Sequence, residues 1–285
     1  MQIITVKSDD ITLQVSSLGA QMESVKFDGK EMLWQGDEKY WKGKAPVLFP
    51  ISGGMKDRAY TYKDKPYSMP FHGLARQSEF EVVEVSENSV SLKLSANEYT
   101  KEYYPFDFDF IVIYIVDGAT VKVIYKVINK GEESMYFSFG SHESFNTFGG
   151  FCNHSLVFEK EERFLSSVVS PTSGLLDHTY DDFGKGKMLN LSYDLLIHNT
   201  FILAGLNSRA VTLMNKDKKV ATMQFDAPNL LVWSMPEAPY VCIEPWHNLP
   251  DYEDTDGKIE NKPGIIKLES KNTYTNEHKI TYFKN

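Results

Sequence analysis

Apolar residues recur at every second position along much of the chain. Ile11, Leu13 and Val15 alternate with Thr12 and Gln14, the period of a strand with one face in a core. Val25 and Phe27 run into Asp28-Gly29, with Met32 and Trp34 beyond, and Asp-Gly between such runs predicts a tight hairpin. Phe80 and Val82 lead to Glu87-Asn88, after which Val90, Leu92 and Leu94 resume the alternation. Asp117-Gly118 divides the apolar runs 110–116 and 121–128, and Asn129-Lys130-Gly131 turns the chain into Met135, Phe137 and Phe139. Similar runs follow at 201–203, 210–214, 220–225, 230–233 and 241–243. No long window carries the 3.6-residue period of a helix, and residues 189–197 are enough for one or two helical turns or a loop. Many short strands punctuated by Gly, Asn, Asp and Pro predict an all-β fold, a sandwich or barrel, with less than about a tenth of the chain helical.

No linker tract, charge block or internal repeat divides the chain, so residues 1–285 read as a single domain. Two stretches interrupt the alternation. Residues 40–64 hold Trp41, Pro46, Pro50, Gly53 and Gly54, and residues 246–264 hold Pro250, Pro263 and several acids. Long irregular segments in a compact domain are frequent sites of function.

The net charge of −9 argues against nucleic acid or an anionic membrane surface as partner, because both reward a basic face. The longest uninterrupted apolar run, 110–116, spans a strand rather than a bilayer. The first residues lack the charged-then-apolar layout of a signal peptide. Cys152 and Cys242, each beside bulky apolar or aromatic residues, read as two buried thiols in a reducing compartment rather than as a disulfide framework. The expected location is the cytoplasm.

Several chemistries are disfavoured. Gly184-Lys185-Gly186 lacks the later glycine and the strand-to-helix setting of a phosphate cradle, His142-Glu143 has Asn146 where a zinc-protease motif needs its second histidine, and no Gly-x-Ser-x-Gly elbow occurs. Three polar spots remain, each set among glycine, proline and aromatic residues: 70–76 around His72, 139–146 around His142, and 241–247 around Glu244. In each, an ionisable side chain ends an apolar strand, and a sandwich can bring distant strand ends to one concave face. Two imidazoles and a carboxylate meeting there would suit general acid–base work near neutral pH, and neighbouring rings would suit the apolar faces of a pyranose. A histidine on a strand is more often a satisfied structural group, the reading given to His154, His178 and His278. Glu244 is more telling: a carboxylate directly after Val-Cys-Ile and before Pro-Trp is set for burial, which is costly unless it is paired or in use.

At these motifs the sequence resembles the aldose 1-epimerase (galactose mutarotase) family, in its bacterial galactose mutarotase-like branch. The resemblance runs nearly end to end, through Leu33-Trp34-Gln35-Gly36-Asp37, Tyr40-Trp41, 45–50, His72-Gly73-Leu74-Ala75-Arg76 with Glu79-Phe80, Gly140-Ser141-His142 with Phe145-Asn146, and Ile243-Glu244-Pro245-Trp246. It implies a large twisted antiparallel β-sandwich and an isomerase that interconverts the α and β anomers of a free aldose. By position, Glu244 would be the base that takes the C1 hydroxyl proton and His142 the acid that protonates the ring oxygen. His72, Arg58, Trp246, Phe145 and Asn146 would bind the sugar. No metal or organic cofactor is implied; the partner is a small sugar, and the protein a monomer or homodimer.

Asp57 stands where the family usually has asparagine, Gly54 where arginine is common, and the position of a sugar-binding aspartate falls near His198-Asn199, where there is no acid. These departures bear on which sugar fits more than on the acid–base pair. A phosphorylated sugar would call for several arginines, and the motifs hold only Arg58 and Arg76. Two other functions compete: a non-catalytic sugar-binding protein on the same fold, and a glycoside hydrolase, in which Glu143 or Asp251 would have to supply the second carboxylate.

Overall fold

A computed structural model describes residues 1–198 and 200–284. The chain is 53% strand and 8% helix, and its single α-helix among the described residues is Glu98–Tyr103, opened by a reciprocal capping box between Asn97 and Thr100. A thirteen-stranded antiparallel sheet runs from an edge at Glu143–Asn146 through Tyr240–Trp246, Asn229–Trp233 and Phe201–Leu203 to the arm His154–Val169. It continues through Ala210–Asn215, Lys218–Phe225, Thr273–Tyr282, Thr120–Asn129, Phe108–Asp117 and Ser89–Ser95 to a far edge at Glu81–Val85. A four-stranded sheet, Ile3–Lys7, Ile11–Ser16, Met22–Phe27 and Lys30–Glu31, packs against its far half.

The alternation predicts the pairing well. Phe108–Asp117 and Thr120–Asn129 bury every second residue and join at the Asp117-Gly118 hairpin, where Asp117 faces Thr120. The Asp28-Gly29 and Glu87-Asn88 turns close their hairpins as expected, with Phe27 opposite Lys30 and Val85 opposite Val90. Between the sheets lies one continuous apolar core. Phe49, from an otherwise irregular segment, stacks on Phe110 at 4.2 Å within it. That contact anchors the irregular stretch, and the Phe49 carbonyl in turn accepts the backbone N–H groups of Leu74 at 2.7 Å and Ala75 at 3.1 Å in the loop after His72.

The hairpin of His154–Val169 and Leu176–Asn190 departs from the sequence reading. Its strands pass through Glu159-Lys160-Glu161-Glu162-Arg163 and a largely exposed second arm, so no apolar period marks them. Residues 189–197 finish that arm and then make one 3₁₀ turn, Tyr193–Leu196. Cys242 is buried as expected, whereas Cys152 is exposed, on the 3₁₀ turn Phe151–Asn153. No helix among the described residues is long and apolar enough to cross a membrane.

The two irregular stretches lie against each other. Asn248 accepts from the Ser52 backbone N–H at 2.9 Å and donates to the Ser52 carbonyl at 2.9 Å. Asp251 accepts from the Lys56 backbone N–H at 3.0 Å, donates through its own N–H to Gly54, and forms a buried ion pair with Lys262. Buried polar groups without these partners would each be costly. The rim that the two segments form is therefore held rigidly.

Candidate active site

Strand parity builds the floor of a cleft. Glu143 pairs with Ile243, which sets His142 across from Glu244 on the opposite face of the same two strands. Leu231 lies across from Glu244 and Trp233 from Cys242 on the next strand. One face of Tyr240–Trp246 thus belongs to the core, through Val241 and Ile243, and the other to the cleft, through Glu244 and Trp246. This explains why the whole strand is buried although it carries a carboxylate.

The cleft has a volume of about 380 Å³ and is lined by His72, Arg76, His142 and Glu244 among Trp41, Phe71, Trp233 and Trp246. Few precise polar groups within an aromatic wall are what a small polar ligand needs. His142 Nε2 is 3.3 Å from Glu244 Oε2. The His142 ring stacks on Trp41 at 5.0 Å and meets His72 edge-on at 5.6 Å. His142 Nδ1 and Glu244 Oε2 are buried without hydrogen-bond partners. Such groups are uncommon in a folded protein and mark a place where a ligand can complete the bonding.

His72 is placed by a strained turn. It sits at φ +66 between Phe71 and Gly73, donates its N–H to the Gly53 carbonyl at 2.9 Å, and accepts the Gly53 N–H on Nδ1 at 3.0 Å. Gly73 follows at φ +75, where a Cβ would lie 2.3 Å from the Phe49 carbonyl oxygen, so only glycine fits. Burial, then the nearby His142 and Arg76, hold the His72 imidazole well below its ordinary value. A neutral ring that accepts on Nδ1 carries its proton on Nε2, and it is therefore a hydrogen-bond donor. Gly140 plays the corresponding role on the other wall, since a Cβ there would fall 2.6 Å from Trp246 Cδ1 and from Ser52 Oγ.

Electrostatically, the pair is pushed toward neutrality. Burial, followed by the charge of Glu143, raises Glu244 well above the usual carboxylate range, while burial lowers His142 to about 4. Across the neutral range the pair therefore holds one proton between two groups, on Glu244 in the neutral arrangement and on His142 in the ionic one. A pair sharing one proton can give it at one atom and take it at another without net gain or loss.

Of the residues expected to line a sugar site, His72, His142, Glu244 and Trp246 converge here. Arg58, Phe145 and Asn146 do not. Arg58 and Asp57 sit in left-handed conformations on an outward 3₁₀ turn, and Arg58 is exposed away from the cleft. Phe145 has the parity of Glu143 and is buried in the core. Asn146 has the parity of His142, but residues 31–44 cover that end of the strand, and its amide donates to the Glu31 and Leu33 carbonyls at 3.0 Å each. His198 pairs with Asp181 at 3.2 Å, and Asn199 lies outside the described residues.

Arg76, Trp41, Trp233 and Phe71 were not singled out from the sequence. Arg76 is the informative omission, because its Nε is buried without a partner at the cleft wall. A lone arginine within His72-Gly73-Leu74-Ala75-Arg76, with no acid in that motif to pair it, was the available signal.

His142, Cys242 and Glu244 offer ligand atoms within 4.8 Å of one another. Tetrahedral zinc places its ligand atoms only about 3.5 Å apart and binds a thiolate, whereas burial raises the Cys242 thiol well above its ordinary value. These three residues therefore fit a metal poorly.

The aldose 1-epimerase family model matches residues 2–277. The chain belongs to the aldose 1-epimerase family. Protein LacX of Lactococcus lactis subsp. lactis, in plasmid and chromosomal forms, is 33% identical to it over 98% of each chain. A galactose mutarotase related enzyme from Lactobacillus acidophilus is 30% identical, with a TM-score of 0.90 over 99% of this chain and 98% of that one. A galactose mutarotase-like protein from Lactobacillus casei is 27% identical, with a TM-score of 0.93 over 99% and 100%. The epimerase fold thus agrees with the strand pattern read from the sequence.

Burial also makes a stability prediction for this family member. His247 packs on Phe139 at 4.1 Å, and burial lowers its imidazole to about 4. The unfolded chain takes up that proton near pH 6.5 and the folded one near 4, so this stability is lost as pH falls through that window. Removing the imidazole should flatten the acid branch. His247→Gln is expected to lose about 2 kcal/mol less than the parent between pH 7 and 4.5, measured by urea unfolding at both.

Proposed function

We propose that the protein is a mutarotase acting on a free aldose, with Glu244 and His142 as its acid–base pair. The observation that carries this reading is the 3.3 Å contact between Glu244 and His142 on the floor of an aromatic cleft. The ring oxygen and the C1 hydroxyl of a pyranose are attached to the same carbon. Two proton-transfer groups this close together can reach both at once.

In the ionic arrangement Glu244 takes the C1 hydroxyl proton while His142 gives its proton to the ring oxygen. The C1 oxygen forms a carbonyl as the bond from C1 to the ring oxygen breaks. Rotation about C1–C2 presents the other face. Closure reverses both transfers: Glu244 gives its proton to the C1 oxygen while His142 takes the proton of the C5 hydroxyl, so the protein ends as it began. His72 donates from Nε2 toward the ring, and Trp246, Trp233 and Phe71 cover its apolar faces. Neither metal nor organic cofactor enters these steps.

Hydrolysis needs a second carboxylate across the bond. Among the described residues Glu244 is the one acid lining the cleft. Glu143 points into the core and Asp251 is tied to Lys262. The experiment that tests the proposal is polarimetry on freshly dissolved aldoses, run beside equilibrium binding of the same sugars. Acceleration well above buffer supports the mutarotase. Binding without acceleration would give the protein to the non-catalytic alternative.

The relocated arginine supplies a further expected result. Arg76→Ala should raise KM about tenfold, the worth of one hydrogen bond from a charged donor, with kcat little changed. Arg58→Ala should leave both constants unaltered. The reverse pattern, read from initial rates over a range of sugar concentrations, would return the sugar contact to Arg58.

A further inference from the structure

The edge strand that turns His142 into the cleft turns Glu143 out through its other face. There Glu143 Oε1 lies 3.0 Å from His278 Nε2, both side chains less than 5% exposed. Two carboxylate–imidazole pairs thus stand back to back across the strands Glu143–Asn146 and Tyr240–Trp246, one facing the cleft and one, completed by His278 from Thr273–Tyr282, sealed in the core. On the core side Tyr114 on Phe108–Asp117, Tyr125 on Thr120–Asn129 and Tyr282 on the strand that carries His278 feel the Glu143 charge, and Cys242 and Glu244 feel it from the opposite face of Tyr240–Trp246. On the cleft side the outer pair faces His72 and Arg76. Neither Glu143 Oε2 nor His278 Nε2 makes a hydrogen bond, so the two side chains are paired by proximity alone.

Burial alone does not account for the inner pair. Replacing a buried ion pair by apolar residues of similar volume is often neutral or stabilising, and the mechanism above makes no use of Glu143 or His278.

We propose that Glu143, buried beside His278, is a positioning residue that acts by its charge from behind the cleft, setting the pH at which the Glu244–His142 pair gains and loses its protons. The proposal rests on the assignment of that pair as the site's acid and base. A negative charge on the far face of the same two strands favours the protonated form of both outer groups. In keeping with this, Glu143 follows burial as a cause raising Glu244, and it raises His142 against the burial that lowers it. Without it, both outer groups would release their protons at lower pH.

The test follows the Glu244 side-chain carbon and the His142 ring by NMR from pH 4 to 9 in the parent, in Glu143→Gln and in the double variant Glu143→Met with His278→Leu. The kcat/KM profile for anomer interconversion is measured alongside. The titration midpoints and both limbs of the profile are expected to move to lower pH together by about half to one unit, the scale of one charge across a partly buried gap. A folded variant whose midpoints do not move, or move in opposite directions, would overturn the proposal. If Glu143→Gln does not fold, the apolar double variant decides. Failure of both to fold would also overturn the proposal, because the pair would then be a structural element. Shifted midpoints in a protein without catalysis would leave the tuning intact and remove only the mutarotase assignment.

Discussion

Glu244→Gln is expected to lower kcat for anomer interconversion by about 10²–10⁴-fold, the usual contribution of a positioned proton-transfer group. Sugar affinity should change little. The amide has the same shape as the carboxyl group but cannot accept the C1 hydroxyl proton, so the loss falls on a step made only in the transition state. Folding should survive. Burial already favours a neutral group at this position, and glutamine is neutral at every pH. Steady-state rates with a parallel binding titration separate the two effects. A variant that loses affinity and kcat/KM while keeping kcat would show that Glu244 holds the sugar without moving its proton.

His142→Asn is expected to lose activity on the same scale, again in kcat. The double variant should be little worse than the poorer single one. Groups that pass protons as a unit are strongly non-additive, because the second loss removes a partner that is already idle. The wild-type profile bears on the same pair. Activity requires one shared proton, so the rate should fall as the pH drops toward the lowered His142 value of about 4, where a second proton binds. It should fall again above the raised value of Glu244, where the last one leaves. Additive losses in the double variant would mean that the two residues act on separate steps.

The floor of the cleft was legible in the sequence because its chemistry contradicts its surroundings. Glu244 interrupts an apolar strand and His142 follows Phe139-Gly140, and a polar group in such a run needs a partner or a use. The hairpins were legible where a strict period of two met an Asp-Gly or Asn turn. What the sequence could not show was which neighbours cover each face. Asn146 shares the parity of His142 yet is roofed by residues 31–44, a contact more than a hundred positions away in the chain. Arg58 and Arg76 lie in similar motifs, but left-handed backbone at 57–58 turns one outward while the cleft wall receives the other. The arm 154–190 escaped because a charged stretch at 159–163 interrupts its first strand and its second strand is largely exposed, so neither carries a sustained apolar period.

The central claim is that this cleft interconverts anomers by proton transfer through Glu244 and His142. Exchange spectroscopy on a C1-labelled aldose at equilibrium tests it most directly, because magnetisation passes between the α and β resonances only while the ring opens and closes. With catalytic amounts of the parent protein, cross-peaks between the anomers are predicted, and with Glu244→Gln they should fall to the level of buffer. Equal cross-peaks for the parent and Glu244→Gln, or none above buffer for any aldose that binds, would contradict it.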